Sequence, residues 1–145
     1  MSNYKISIEM SSAGRKIPTR RIKQWAHRVL ATEGIDRAAV NIVLVDDGYM
    51  THLNRQYLQH DEPTDVLSFN LSDDASDQLE GEIYADVDQI ARQAQEYGVS
   101  FDEELARIVV HGILHLMGYD DQSDQDRQQM TNKEDDYLNL FMNQN

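Results

Sequence analysis

Two histidines and an aspartate are spaced so that they can hold one metal ion. His111 and His115 lie four residues apart in the stretch HGILHLMGYDD, which runs from 111 to 121. On a helix, at 100° per residue, such a pair points to within about 40° of one direction. Gly118 follows, and glycine readily takes the left-handed conformation that ends a helix and turns the chain back. Asp120 and Asp121 come directly after that turn. An aspartate at a helix C-terminus meets the negative end of the helix dipole, and a nearby dication reverses the sign of that interaction. The pattern H-x-x-x-H-x-x-G-x-x-D therefore nominates His111, His115 and Asp121 as ligands. Two nitrogens and one oxygen suit Zn2+ best, with manganese, nickel or iron as other divalent choices. Three protein ligands leave a position open for water, as in catalytic rather than structural sites.

The elements around this stretch must bury and aim it. Leu105, Ile108, Val109, Gly112 and Leu116 form one helical stripe, while Val110, Leu114 and Met117 occupy the opposite side. A helix apolar nearly all round is a buried one, so 101–117 is expected to be a buried central helix. Ser100 and Glu103 make a capping-box pattern at its start. Imidazoles in a buried helix need partners for their ring nitrogens. A shared metal provides one, and hydrogen bonds within the core provide the other. In that second case Asp121 is merely a cap for the last helix.

Strands are expected at Tyr4–Glu9, Val40–Val45, Asp65–Asn70 and Gly81–Asp86, the last two as an antiparallel pair with a long acidic connection. Pro18 suits the first turn of a helix carrying Ile22, Trp25, Ala26, Val29 and Leu30 on one stripe and ending at Gly34. Asp46 or Asp47 caps a second helix reaching about Tyr57. Asp88 opens a third helix, stopped by Gly98, and Ser123 caps a last one through about Phe141. SSAG, HDEPT and LSDDASDQLE read as loops. The expected class is α+β: a small mixed β-sheet flanked by helices, with the metal site at the end of the buried central helix, zincin-like, in one hydrolase domain spanning 1–145.

Composition narrows the chemistry. The 145 residues contain no cysteine, which excludes disulfides, thiolate metal sites and cysteine nucleophiles. The N-terminus has no apolar h-region, and no apolar run approaches the roughly 20 residues that span a bilayer. A soluble, cytoplasmic protein with no membrane partner is expected. The net charge of -13 argues against a protein that coats nucleic acid non-specifically. The charge is uneven, however. Residues 1–58 hold nine Lys/Arg against five Asp/Glu, and 59–145 hold four against 21. Six of the bases fall between Arg15 and Arg28, which reads either as a solvated helix face or as one basic face on an acidic body.

The segment HGILHLMGYDD closely resembles the HGxLHLxGYDH motif of the YbeY family, zinc-dependent endoribonucleases that act in ribosomal RNA maturation. A second block, LNRQYLQHDEPTDVLSF at 53–69, resembles the family's LNxxYRxxDxPTDVLSF. Gly81–Ile83, Met130 and Glu134 also fit. The resemblance implies an α+β fold, one metal ion near the end of the long helix, and single-stranded RNA as substrate. It also implies a role in processing small-subunit ribosomal RNA and in ribosome quality control. Its partners would be ribosomal RNA or the small ribosomal subunit, together with ribosome-associated proteins. Two positions depart from the family pattern. Asp121 stands where histidine is usual, which makes the site less cationic and a weaker Lewis acid. Leu58 stands where the family has arginine, which removes a phosphate contact that Arg55, one helical turn earlier, can partly replace.

Asn54, Arg55 and Ser68 are accordingly candidate substrate contacts. Glu82 is a weaker candidate for a general base, which the sequence does not identify. His52, His60 and His27 read better as solvated histidines. Two rival functions remain. A metallopeptidase shares the His111–His115 spacing, but its general base sits beside the first histidine, where Gly112 has no side chain. A non-catalytic ribosome-assembly factor would use the metal to hold the helix end and the basic N-terminal helix to contact RNA.

Overall fold

The computed structural model describes residues 3–11, 15–58, 64–73 and 77–143. Most of SSAG and HDEPT, His60, and the centre of the acidic loop lie outside the described residues. The elements are β1 (Asn3–Met10), α1 (Thr19–Thr32), β2 (Arg37–Val45), α2 (Asp47–Leu53), β3 (Val66–Asn70), β4 (Leu79–Asp86), α3 (Val87–Tyr97), α4 (Phe101–Leu116) and α5 (Asp124–Met142). The strands form one sheet in the order β1-β2-β4-β3. β1, β2 and β4 run parallel, and β3 is antiparallel to β4. The chain thus has the expected α+β fold with a mixed sheet.

Alternation along β2 divides the core. Ala38, Val40, Ile42 and Leu44 join Ile22, Leu30, Ile108 and Ile113 in the main cluster, so α1 and α4 share one face of the sheet. Val43 and Val45 point the other way, against Met50 and Leu53 of α2. α4 is buried over ten of its 16 residues, as its all-round apolar pattern requires.

The helix ends follow from local chemistry. Ser100 Oγ accepts from the Glu103 amide at 3.1 Å, and Ser123 Oγ accepts from the Asp126 amide at 3.0 Å. Gly98 closes α3 in the left-handed conformation at φ 67°. Asp46 is the cap of α2. α3 is capped by Asp86, two residues before the expected Asp88, because the Asp86 side chain accepts from the amides of Asp88 and Gln89. The second helix departs from expectation. α2 stops at Leu53, and Asn54–Leu58 continue as a π-helical turn.

Candidate metal centre

His111 and His115 project from the last turns of α4, and Gly118 lies just beyond its end at φ 101°. That left-handed glycine reverses the chain and returns Asp121 to the histidines. His111 Nε2 is 3.6 Å from Asp121 Oδ2, and His115 Nε2 is 3.5 Å from the same oxygen. The imidazole rings sit edge to face with centroids 4.8 Å apart. Two ligands each about 2.0–2.1 Å from a tetrahedral ion are separated by roughly 3.3 Å. Both histidine–aspartate separations are close to that value, and the three ligand atoms all lie within 4.8 Å of one another, so the donor set suits one zinc-sized dication.

The other ring nitrogen of His111 is also engaged. Glu134 Oε2, from α5, lies 2.6 Å from His111 Nδ1. This bond places the proton on Nδ1 and leaves the Nε2 lone pair facing Asp121, the arrangement that orients metal-bound histidines. Burial disfavours the His111 imidazolium, but Glu134, with Asp65 and Asp121 beyond it, outweighs burial and raises the pKa above its ordinary value. The surroundings of Nε2 are therefore negative, as a bound dication requires.

Glu134 belongs to a network of charges. Arg107 bonds Glu104 through Nε at 3.0 Å and reaches Glu134 Oε1 at 3.5 Å. Gln93 Nε2 donates to Glu104 Oε2 at 2.8 Å. Both carboxylates are almost fully buried, so Arg107 supplies the counter-charge that makes their burial tolerable. Sequence reasoning gave Glu134 no role beyond fitting a pattern. A signal was present, since a carboxylate four residues after Met130 and three before Tyr137 falls on the apolar stripe of α5, where it needs a partner.

Gly112 owes its identity to packing. A Cβ placed there would lie 2.8 Å from Ile83 Cγ2 and 3.3 Å from Ser68 Oγ. One turn on, a Cβ at Gly81 would lie 2.6 Å from Leu116 Cδ2. The two glycines let α4 lie directly on β3 and β4. The position that holds a peptidase's glutamate is therefore occupied by the sheet.

A cleft of about 320 Å³ opens over the three side chains, lined also by Thr64, Asp65, Ser68 and Asn70. Ser68 Oγ donates to the Gly112 carbonyl at 3.1 Å, and Asn70 Nδ2 to the Leu116 carbonyl at 3.0 Å. Both side chains thus tie β3 to α4 while facing the cleft. Asn54 and Arg55 do not line it: Asn54 is buried in the π turn and Arg55 is exposed on it. Leu58 ends that turn. Glu82 is near Tyr84, whose hydroxyl donates to it at 3.3 Å, and it too is absent from the cleft lining.

The loop that carries Asp121 is fastened from the side. Tyr119 Oη donates to Glu33 Oε1 at 2.8 Å, and Tyr137 Oη donates to Glu33 Oε2 at 2.5 Å. Lys133 Nζ completes the cluster at 3.2 Å. One carboxylate at the end of α1 therefore joins the turn after α4 to α5.

Comparison with known proteins agrees with this geometry. The family model described as Endoribonuclease YbeY matches residues 7–142. The chain is 37% identical over 139 residues to Endoribonuclease YbeY of Flavobacterium psychrophilum, covering 96% of this chain and 94% of that protein. It is 46% identical over 102 residues to Endoribonuclease YbeY of Carboxydothermus hydrogenoformans, covering 70% and 71% of the two chains. The solution structure of TM1509 from Thermotoga maritima superposes with a TM-score of 0.66 at 31% identity, covering 94% of this chain and 88% of that one. Fold, site geometry and sequence together show that the chain belongs to the YbeY endoribonuclease family.

Proposed function

We propose that this chain is a single-domain, metal-dependent endoribonuclease that cuts single-stranded RNA during maturation of small-subunit ribosomal RNA and ribosome quality control, in the cytoplasm. The observation that carries the reading is the convergence of His111, His115 and Asp121, whose ligand atoms lie within 4.8 Å of one another, under an open cleft and with Glu134 fixing one imidazole. His111, His115 and Asp121 would hold a single Zn2+ or another divalent transition metal. When bound, such an ion supplies Lewis acidity toward a phosphoryl oxygen or water.

The protein's own residues do the positioning. Glu134 holds the His111 ring and its tautomer. Gly118 and the Glu33–Tyr119 bond hold the loop of Asp121. Ser68 and Asn70 lock β3 to α4, so that Thr64, Asp65 and Ser68 form one rigid wall of the cleft. Rigid support of this kind favours catalysis, because a misplaced group costs rate steeply. Ser68 is the substrate contact best placed to act, while Asn54 and Arg55 would act from the neighbouring π turn. Among the described residues, no helix is long and apolar enough to cross a membrane.

The test measures bound metal after purification without chelators, then compares cleavage of ribosomal RNA and of casein by wild type and His111→Ala. RNA cleavage that disappears in the variant supports the reading. RNA cleavage that persists in the variant, or stoichiometric metal with no RNA cleavage, contradicts it. Protein cleavage lost in the variant would favour a peptidase. The cellular role is tested by small-subunit ribosomal RNA ends in cells lacking the protein, which wild type should restore and His111→Ala should not.

A further inference from the structure

We propose that the groove between α1 and β1 is a second RNA-contacting surface, which grips the phosphodiester backbone of a single strand outside the metal cleft. The proposal rests on the endoribonuclease reading for the class of its ligand and extends it to where the strand is held. The groove has a volume of about 850 Å³. Its floor is Trp25 and Phe141, which stack at 6.1 Å, with Tyr4 and Ile6 of β1 alongside. Its rim carries Arg20, Arg21, Lys23, His27 and Arg28.

Three of the basic side chains, Arg20, Lys23 and Arg28, are not consumed by the fold. Arg21 pairs with Asp102 at 3.0 Å and lies over the Trp25 ring at 5.2 Å. Arg20, Lys23 and Arg28 are exposed, and among the described residues none of them makes an ion pair. Like charges at helical i, i+3 spacing, such as Arg20 and Lys23, destabilise a helix by a few tenths of a kcal/mol. A chain with net charge -13 has carboxylates in surplus, yet none among the described residues pairs with these three side chains. Arg20 and Arg28 are eight residues apart, or about 12 Å along the helix axis. All three line the groove, so positive charge is spread along its length, as suits a linear polyanion.

The location suits a substrate strand. β1 is an edge of the sheet, so no further strand among the described residues covers the groove from that side. α1 and α4 run in the same direction: Arg21 meets Asp102 at their N-terminal ends, and Glu33 meets Tyr119 past their C-terminal ends. Tyr119 is two residues from Asp121. β1 and β3 lie at opposite sheet edges, three strand spacings or about 14 Å apart, a gap that an RNA of more than a few nucleotides spans. An acidic protein is the weaker occupant. A protein partner needs exposed apolar surface at the centre of its interface, but on the groove floor Trp25 and Phe141 are buried and Tyr4 and Ile6 only half-buried, while the large exposed apolar residues Met10, Tyr49, Tyr57, Leu71 and Tyr97 lie outside the groove. A nucleic acid needs only the cations.

The test is fluorescence anisotropy of a labelled single-stranded RNA oligonucleotide with zinc-loaded full-length protein, over a range of salt. The triple variant Arg20→Ala, Lys23→Ala, Arg28→Ala should bind about tenfold or more weakly near physiological salt. Its plot of log K against log salt should be shallower by about 2, because each lost contact to a single strand removes about 0.7 from the slope. Unchanged affinity and slope in a variant that melts like wild type would overturn the proposal. If the triple variant melts early, Arg20→Glu, Lys23→Glu and Arg28→Glu are measured singly, and each should weaken binding; no loss in any of them overturns it. Polyglutamate that competes as well as RNA would overturn RNA as the occupant. A wild type that binds RNA with the predicted slope loss in the variant, but cuts none, supports the groove and sinks the nuclease reading. Cleavage with an unchanged slope does the reverse.

Discussion

Glu134 of α5 holds His111 of α4 through a 2.6 Å contact to Nδ1, so the nitrogen that faces Asp121 is chosen by a residue 23 positions downstream. Partners of this kind typically contribute 10–100-fold to metal affinity. Glu134→Ala should therefore weaken zinc binding by about that factor, as read by competition with a chromogenic chelator. Glu134→Gln keeps an acceptor for the Nδ1 proton and should lose less. Equal affinity in wild type and Glu134→Ala would show that the contact does not orient the ring.

Gly112 should tolerate no side chain. Its missing Cβ would stand 2.8 Å from Ile83 Cγ2, and overpacking of a dense core costs about 1–3 kcal/mol. Gly112→Ala should lower stability in denaturant melts by that amount. Gly112→Glu, which restores a peptidase-like pattern, should destabilise further and confer no protein cleavage. Ile83→Ala removes the clashing methyl, so the double variant should lose less than the sum of the two singles. Strict additivity would place the strain elsewhere.

Asp86 and Asp47 make stability depend on pH. Asp86 is fully buried, and its Oδ1 accepts from the amides of Asp88 and Gln89. Burial, then Asp47, pushes its pKa up to about 8. Asp47 is held down to about 2, first by its paired bonds to Arg92 at 2.8 and 2.9 Å. For Asp86 the folded state binds the proton more tightly than the unfolded one. Its contribution is present below the ordinary carboxylate pKa and is lost as pH rises through about 8. Asp47 acts oppositely, contributing above the ordinary value and losing that contribution as pH falls through about 2. Asp86→Asn can accept from both amides and donate to Asp47 without titrating. The variant's melting temperature, relative to wild type, should rise by at least about 2 °C between pH 5 and pH 8. A constant difference would remove Asp86 as the titrating group.

Glu33 links stability to the metal loop. Burial alone would raise its pKa, but the bonds from Tyr137, Tyr119 and Lys133 lower it below the ordinary value. Its contribution is therefore present above that ordinary value and is lost as pH falls through the depressed one. Glu33→Ala leaves two tyrosine hydroxyls and an ammonium without their acceptor and should cost about 1–3 kcal/mol near neutral pH. It should also weaken zinc binding, because Tyr119 no longer anchors the turn before Asp121. Lower stability with unchanged metal affinity would separate the two effects.

Much of the fold was legible because it follows from local rules. Alternation marks the first strand and a short β-branched run the second, Ser100 and Ser123 mark helix starts, and Gly98 and Gly118 mark helix ends. The errors were local as well. The residues after Leu53 still carried a helical apolar rhythm, yet they continue as a π turn. Asp86 rather than Asp88 caps α3, since the helix starts directly after the last residue of β4, with no intervening loop.

The sequence by itself brought His111, His115 and Asp121 into one neighbourhood, because helix periodicity and a left-handed glycine act over a few residues. Tertiary structure decided what surrounds them. Glu134 reaches His111 from α5, Glu33 reaches Tyr119 from α1 across 86 positions, and Ile83 of β4 dictates glycine at 112. None of these contacts has a fixed spacing along the chain. They depend on how α1, α4 and α5 pack on the sheet, and packing is settled by volume and burial over the whole core rather than by any single motif.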